Sequence, residues 1–120
     1  FIDTGPTGDN GFPIDTATGS HWYRYALTPW TSKKELKLEP DLVLVGGRFR
    51  RACALASLLF ARPQTRILFR DYADRPYYHG IEEYVSLAET TREVAEFIRP
   101  PVVDTTALWV ALMDAVSDPR

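Results

Sequence analysis

The stretch between residues 41 and 70 most constrains the fold, because it has the pattern of a strand, a helix and a second strand. "DLVLVGG" contains a four-residue apolar run that a glycine pair ends, which is typical of a strand buried on both faces. In "RFRRACALASLLFARP", apolar residues recur every three or four positions as far as Pro63, which predicts a helix. "TRILFRDY" contains a second buried run, Ile67 to Phe69. The order predicts a βαβ unit with parallel strands and a right-handed crossover.

Three further elements are expected after this unit. Asp74 as a cap and Pro76 in the first turn predict a second helix, whose apolar stripe extends to Ala88. "EVAEFIR" is interpreted as a short third strand that ends before a proline pair. Asp104 then caps a last helix, whose buried face is predicted to be Leu108, Ala111, Leu112, Ala115 and Val116.

The first forty residues differ from the rest in composition. Gly and Pro cluster here with Asp and Asn between them, which indicates turns. Within this segment "HWYRYAL" could form either a short strand or a single helical turn, and "SKKELKLE" is interpreted as an exposed connector or a frayed helix. We therefore predict one α/β domain over 1–120, with a loop-rich segment at 1–40 and a βαβα core at 41–120. Its sheet is expected to be short, mainly parallel and flanked by helices.

Composition and charge restrict the class of protein. A chain of 120 residues, 45% of them hydrophobic, can build one compact core but not two ordinary domains. Fourteen Lys and Arg against sixteen Asp and Glu give a formal charge of −2, so nucleic acid is not an expected partner. The longest apolar run has ten residues, half of the roughly 20 that cross a bilayer, and no membrane partner is expected. Cys53 is the one cysteine, which excludes a disulfide framework and favours a cytoplasmic location.

The opening "FIDTGPTGDNGFP" spells Asp3-Thr4-Gly5, as around the catalytic aspartate of aspartic proteases. Short dimeric proteases need that turn in a chain otherwise built of strands, so that two aspartates can share a proton across a two-fold axis. The βαβα pattern does not supply that setting, and Pro6 follows where a small hydrogen-bonding residue is needed. We therefore expect that Asp3 is not catalytic and that Asp3→Asn removes no peptidase activity.

Ligands of open α/β sheets bind beyond the carboxyl ends of the strands. The stretches that follow the apolar runs are Asp3 to Gly8, Gly46 to Arg48, and Arg70 to Tyr72. The glycine pair precedes a helix, so it could bring backbone N–H groups close to an anion, or it could simply turn the chain. The arginines of the first helical turn, Arg48, Arg50 and Arg51, favour either an anionic ligand or side chains that snorkel over the surface.

The densest polar and aromatic stretch is "RDYADRPYYHGIEEY". Asp71 at a strand end could orient a ribose hydroxyl, a metal or a substrate nucleophile. His79 and Glu82 or Glu83 have the spacing of a metal pair, but two ligands do not make a site, and no metal is predicted. Cys53 lies on the buried helical stripe without an adjacent base, so it is not predicted to be a nucleophile.

Three of these stretches together resemble a bacterial family of class I methyltransferase-like proteins whose substrates are largely unassigned. They are "FIDTGPTGDNGFP", "DLVLVGGRFRRACALASLL" and "ILFRDYADRPYYHGIEEYV". The resemblance runs from Phe1 to about Phe97 and corresponds to the later part of the family's Rossmann-like fold. It implies S-adenosylmethionine as cofactor and a small-molecule substrate of unknown identity.

The resemblance also implies roles for individual residues. Gly46, Gly47 and Arg48 would bind the cofactor at the edge of its cleft, and Asp71 and Tyr72 would be catalytic on the substrate side. The family has aspartates where this chain has Gly46 and Arg70. Its N-terminal half, which holds most of the cofactor, has no counterpart here, so an incomplete cofactor site is expected.

A second hypothesis is a binding or assembly module without catalysis. A parallel sheet is normally covered on both faces and protected at its edges. With half of the fold missing, the strand from Leu42 to Val45 or its neighbour should expose an edge. This predicts a homo-oligomer that buries aromatic residues of "HWYRYAL".

Overall fold

A computed structural model of the chain describes residues 21–33, 35–37 and 39–120, so the opening stretch with Asp3 lies outside the described residues. The helices are α1 (Tyr23–Ser32), α2 (Arg50–Phe60), a 3₁₀ helix (Pro76–Glu83) and α3 (Thr105–Ala115). The strands are β1 (Leu42–Val45), β2 (Arg66–Arg70), β3 (Leu87–Thr90) and β4 (Val94–Ile98).

The strands form one four-stranded sheet in the order β1-β2-β4-β3. β1 and β2 are parallel, with Val43 opposite Ile67 and Val45 opposite Phe69, so the predicted βαβ unit is confirmed. β4 runs antiparallel to both β2 and β3, and the sheet is therefore mixed rather than mainly parallel. For β3 and β4 the reason is their short link, because residues 91–93 are too few for the crossover that a parallel pair needs.

The helix predicted from Asp74 to Ala88 is wrong. The structure has a 3₁₀ helix over Pro76–Glu83, and the chain then extends into β3, which the sequence did not predict. Tyr78 and Ile81, three residues apart, are the buried residues of this 3₁₀ helix. Backbone pairing with β4 then holds the following residues in a strand.

The segment 1–40 is not all loop, since "HWYRYAL" leads into the ten-residue helix α1. Trp22 and Ala26 are buried at this end of the chain, and the Trp22 ring lies 5.6 Å from that of Phe49. This packing explains why the helix is longer than the single turn expected, although Pro29 lies inside it. α1 thereby covers the loop that follows β1.

The core lies on one face of the sheet. α2 packs on β1 and β2 there, and α1, α3 and the 3₁₀ helix surround α2. Asp104 caps α3 as predicted, since its Oδ1 accepts a hydrogen bond from the Ala107 N–H at 3.0 Å. The predicted burial of β1 on both faces is wrong, because Leu42 and Leu44 are 49% and 63% exposed on the face away from α2.

α2 and α3, each of 11 residues, are the longest helices of the described part, and no helix there is long and apolar enough to span a bilayer.

Candidate functional site

The loops that follow β1 and β2 lie at one edge of the sheet, because the two strands are parallel. Arg50, the first residue of α2, joins them. Its guanidinium donates from Nε to the Gly47 carbonyl and from Nη1 to the Arg70 carbonyl, both at 2.9 Å, and lies 3.4 Å from a carboxylate oxygen of Asp71. Arg50 is only 5% exposed, so snorkelling over the surface does not describe it. The guanidinium fixes the two loops relative to each other.

The protein's own side chains explain the glycine pair. A β-carbon at position 46 would lie 2.9 Å from Cδ of Arg70, and one at position 47 would lie 2.7 Å from the hydroxyl oxygen of Tyr25. That hydroxyl also accepts a hydrogen bond from the Arg48 N–H at 3.3 Å. The close approach that the sequence suggested for a ligand is therefore made by Arg70 and by α1.

The N-terminus of α2 is capped by the end of the chain. The Phe49 N–H donates to the Pro119 carbonyl at 3.1 Å, and the Arg50 N–H donates to the Arg120 carbonyl at 2.9 Å. Phe49 adopts a left-handed backbone with φ of 54°, which turns the chain into the helix. These carbonyls occupy two of the backbone donors that an anion would use.

Asp71 carries a partly exposed carboxylate at the end of β2. Its side chain is 40% exposed, and its backbone, with φ of 56°, is held by a hydrogen bond from its N–H to the Glu93 carbonyl at 2.7 Å. Asp tolerates this left-handed conformation better than most residues. The carboxylate is thus fixed at the strand end by Arg50 on one side while the other side faces solvent, where it can accept a hydrogen bond from a ligand.

Tyr72 lies in the core. It is 2% exposed, with its ring 5.2 Å from the rings of both Phe69 and Phe97. Its hydroxyl donates to Glu82 at 2.7 Å, and burial followed by this carboxylate raises the pKa of the phenol well above its usual range. The Tyr72 side chain is thus held in the core by its ring contacts and by Glu82.

His79 and Glu82 are each bound to Tyr72 rather than to a shared ligand. Nε2 of His79 lies 2.8 Å from the Tyr72 carbonyl, so this nitrogen carries the hydrogen, and the two rings are 4.6 Å apart. Within 21–33, 35–37 and 39–120, no group of three His, Cys, Asp or Glu side chains could hold a metal ion.

A cluster of tyrosines and an arginine that was not predicted from the sequence lies beside this site. Tyr78 is 2% exposed with its ring 4.8 Å from that of Phe69, and burial, more than its neighbour Tyr77, raises its pKa. The Arg120 guanidinium lies 4.7 Å from the centre of the Tyr77 ring. The density of aromatic residues in "DRPYYHG" is the sequence feature that could have predicted this packing.

A separate apolar groove of about 420 Å³ runs along the edge of β1 that no other described strand pairs with. It lies between that strand and α1, whose Pro29 and Trp30 contribute to its wall. An ion pair between Lys33 and Glu39 at 3.1 Å borders it, and Cys53 and Ser57 of α2 lie at its base.

Cys53 should react slowly with thiol reagents. Burial raises the pKa of its thiol to about 12, and the thiolate is the reactive form. We expect iodoacetamide at pH 8 to label the folded protein at least about tenfold more slowly than the urea-unfolded chain. The unfolded chain loses this proton near its ordinary pKa of 9.0, so the free energy of unfolding should fall as pH rises above that value. Equal labelling rates would contradict the burial of the thiol.

The chain is similar to a methyltransferase-like protein from Silicibacter pomeroyi whose crystal structure is known. The two are 32% identical over 99% of this chain, with a TM-score of 0.86, and the match covers 60% of the other protein. No model of a known protein family matches the chain, and no curated protein does. The roles predicted for Gly46, Gly47, Arg48, Asp71 and Tyr72 stay predictions. The match shows that this chain has a methyltransferase-like fold, as the resemblance implied, with a mixed sheet in place of the mainly parallel one.

Proposed function

We propose that the chain is part of an S-adenosylmethionine-dependent methyltransferase and forms the side of it that receives the methyl acceptor. The observation that carries this proposal is the 32% identity to a methyltransferase-like protein over almost the whole chain. The position of Asp71 supports it, because ligands of open α/β folds bind beyond the carboxyl ends of the strands.

The described residues fit only an edge of a cofactor site. Tyr25 and Arg70 pack tightly against Gly46 and Gly47, and the carbonyls of Pro119 and Arg120 cap α2. The partly exposed Asp71 carboxylate and the exposed Arg70 are accessible polar groups at the end of β2. When bound, the sulfonium cofactor supplies the methyl group. The carboxylate of Asp71 would accept a hydrogen bond from the O–H or N–H group of the acceptor, and Arg50 would keep that carboxylate in place.

The chain alone should not bind S-adenosylmethionine more tightly than about millimolar, which corresponds to roughly 4 kcal/mol. Sites in doubly wound folds take their glycine-rich loop and ribose-binding acid from the first strands, and the sequence contains no Gly-x-Gly-x-x-Gly loop. Titration calorimetry measures this directly. A saturable micromolar isotherm would show that the pocket is complete in this chain.

The same titration on the longest chain that the gene encodes tests the proposed function itself. Saturable binding of S-adenosylmethionine by that protein would support the proposal. Asp71→Asn should leave this binding within about twofold of the parent if Asp71 serves the acceptor rather than the cofactor. No binding by the longest chain would contradict a methyltransferase.

The alternative is an assembly module without catalysis. Exposed leucines on a sheet edge favour it, since Leu42 and Leu44 cover neither the core nor a described element. Sedimentation analysis without the cofactor tests whether the chain assembles, whereas the titrations test whether it binds the cofactor.

A further inference from the structure

Two exposed arginines lie at the same end of the sheet. Arg70 is the last residue of β2, and Arg92 lies in the link between β3 and β4. Residues 21–33, 35–37 and 39–120 supply neither guanidinium with a hydrogen bond or with a carboxylate within 4 Å. β2 and β4 are antiparallel and Arg70 lies opposite Val94, so Arg92 is two residues from the partner of Arg70. Both arginines therefore lie beside the loops of the candidate site.

Arg66 is a second arginine on the same strand and the same face as Arg70. The two are four residues apart, and both side chains point away from α2, because Ile67 and Phe69 take the buried face. Arg66 forms an ion pair with Glu96 of β4. Arg70 lies opposite an apolar residue, and Glu96 is already bound. The sheet thus neutralises the arginine at one end of β2 and leaves the one at the other end without an acid.

The stem of Arg70 is held in place although its guanidinium is exposed. A β-carbon at position 46 would lie 2.9 Å from Cδ and 3.5 Å from Cγ of Arg70, so the stem lies across the end of β1, in space that Gly46 provides. The Arg70 carbonyl accepts a hydrogen bond from Nη1 of Arg50 at 2.9 Å. A side chain that is ordered in advance loses less conformational entropy when its guanidinium binds a ligand.

The charge at this end of the sheet is positive. Arginines outnumber acids around the ends of the strands, with Arg48, Arg50, Arg70 and Arg92 against Asp71 and Glu93. The whole chain has the opposite balance, fourteen Lys and Arg against sixteen Asp and Glu. Arg50 lies 3.4 Å from the Asp71 carboxylate and offsets its charge, so Asp71 repels an anion beside Arg70 less strongly. A local excess of cations attracts anionic ligands.

We propose that the methyl acceptor carries an anionic group, a carboxylate or a phosphate, which binds to Arg70 and Arg92. This inference rests on the function proposed above. A guanidinium presents paired N–H donors that match the oxygens of both groups. The O–H or N–H group of the same acceptor donates to the Asp71 carboxylate, which follows Arg70 in the chain. The acceptor is a small molecule that has an anionic group close to a hydroxyl or an amine.

Titration of the longest chain that the gene encodes with three small amines tests this proposal. Phosphoethanolamine and β-alanine combine an amine with a phosphate or a carboxylate, whereas ethanolamine has the amine without the anion. Heteronuclear NMR follows the Nε–H signal of Arg70, and that of Arg66 is the internal reference because it already donates to Glu96. We expect saturable shifts of the Arg70 signal with an anionic compound and at least about tenfold weaker binding of ethanolamine. The anionic compound that binds more tightly shows whether the group is a phosphate or a carboxylate.

Substitutions assign the anion to Arg70. Arg70→Gln should weaken binding of the better anionic compound at least about tenfold. Arg70→Lys should weaken it less, since lysine keeps the charge but not the planar fork. Arg62→Gln is the matched control, because it removes the same charge from the exposed pair with Asp41 at the other end of the strands and should change binding less than about twofold. All three variants should keep the parent's thermal unfolding curve, because both positions are exposed.

Several results would overturn the proposal: ethanolamine that binds as tightly as the anionic compounds, Arg70→Gln with unchanged affinity, an equal loss in Arg62→Gln, or no saturable binding of either anionic compound. The titrations omit S-adenosylmethionine, so they do not depend on the cofactor. Cofactor binding without anion binding would indicate a methyltransferase whose acceptor is not anionic. Anion binding without cofactor binding would contradict the methyltransferase and retain the anion site.

Discussion

Arg50→Ala is expected to lower the free energy of unfolding by about 3 kcal/mol or more, because removing one member of a buried charged network leaves its partners unsatisfied. The change removes the donors to the Gly47 and Arg70 carbonyls and the cation beside Asp71. Those carbonyls belong to Gly47 and Arg70, which are 23 residues apart in the sequence, and this side chain bridges them. Urea unfolding followed by circular dichroism measures the loss.

The neighbouring arginine provides the control. Arg51 lies in the same helical turn and pairs with Asp114 at 3.2 Å, but the Asp114 side chain is 77% exposed. Arg51→Ala should therefore cost no more than about 1 kcal/mol, the usual upper value for an exposed ion pair. Arg50→Lys should recover only part of the loss, since an ammonium group cannot replace the planar fork. Equal effects of Arg50→Ala and Arg51→Ala would show that the buried network does not stabilise the fold.

Phe69→Ala should destabilise the chain by about 3–5 kcal/mol, the range for deleting a buried aromatic ring. Phe69 is 0% exposed, and its ring lies 5.2 Å from that of Tyr72 and 4.8 Å from that of Tyr78. The variant leaves a cavity under the loop that carries Asp71. Urea unfolding again gives the change in free energy.

Leu68 is the adjacent residue of β2 and serves as the comparison for Phe69. It points to the opposite face of the sheet, where it is only partly buried. Leu68→Ala should lower the free energy of unfolding by less than half as much as Phe69→Ala. Water can fill the space left at this partly exposed position, whereas Phe69→Ala leaves a cavity in the core. Similar losses for the two variants would mean that the core is not confined to the α2 face.

Residue patterns were sufficient for the elements that local chemistry specifies. β1, α2 and β2 follow from apolar periodicity that glycine and proline interrupt, and the cap of α3 follows from Asp104. The same patterns located the strand ends, and with them the place of Asp71. These features depend on residues close together in the chain, so the sequence alone determines them.

Tertiary contacts decided the rest. Leu87–Thr90 has no alternating apolar pattern, and it is a strand because β4 pairs with its backbone. Arg50 is indistinguishable in sequence from its neighbours Arg48 and Arg51, and its burial depends on carbonyls from two separate loops. Tyr72 is likewise buried because Phe69, Phe97 and Glu82 converge on it from three elements. The free energy of a buried polar group is set by partners that are distant in the chain, and only the folded structure brings those partners together.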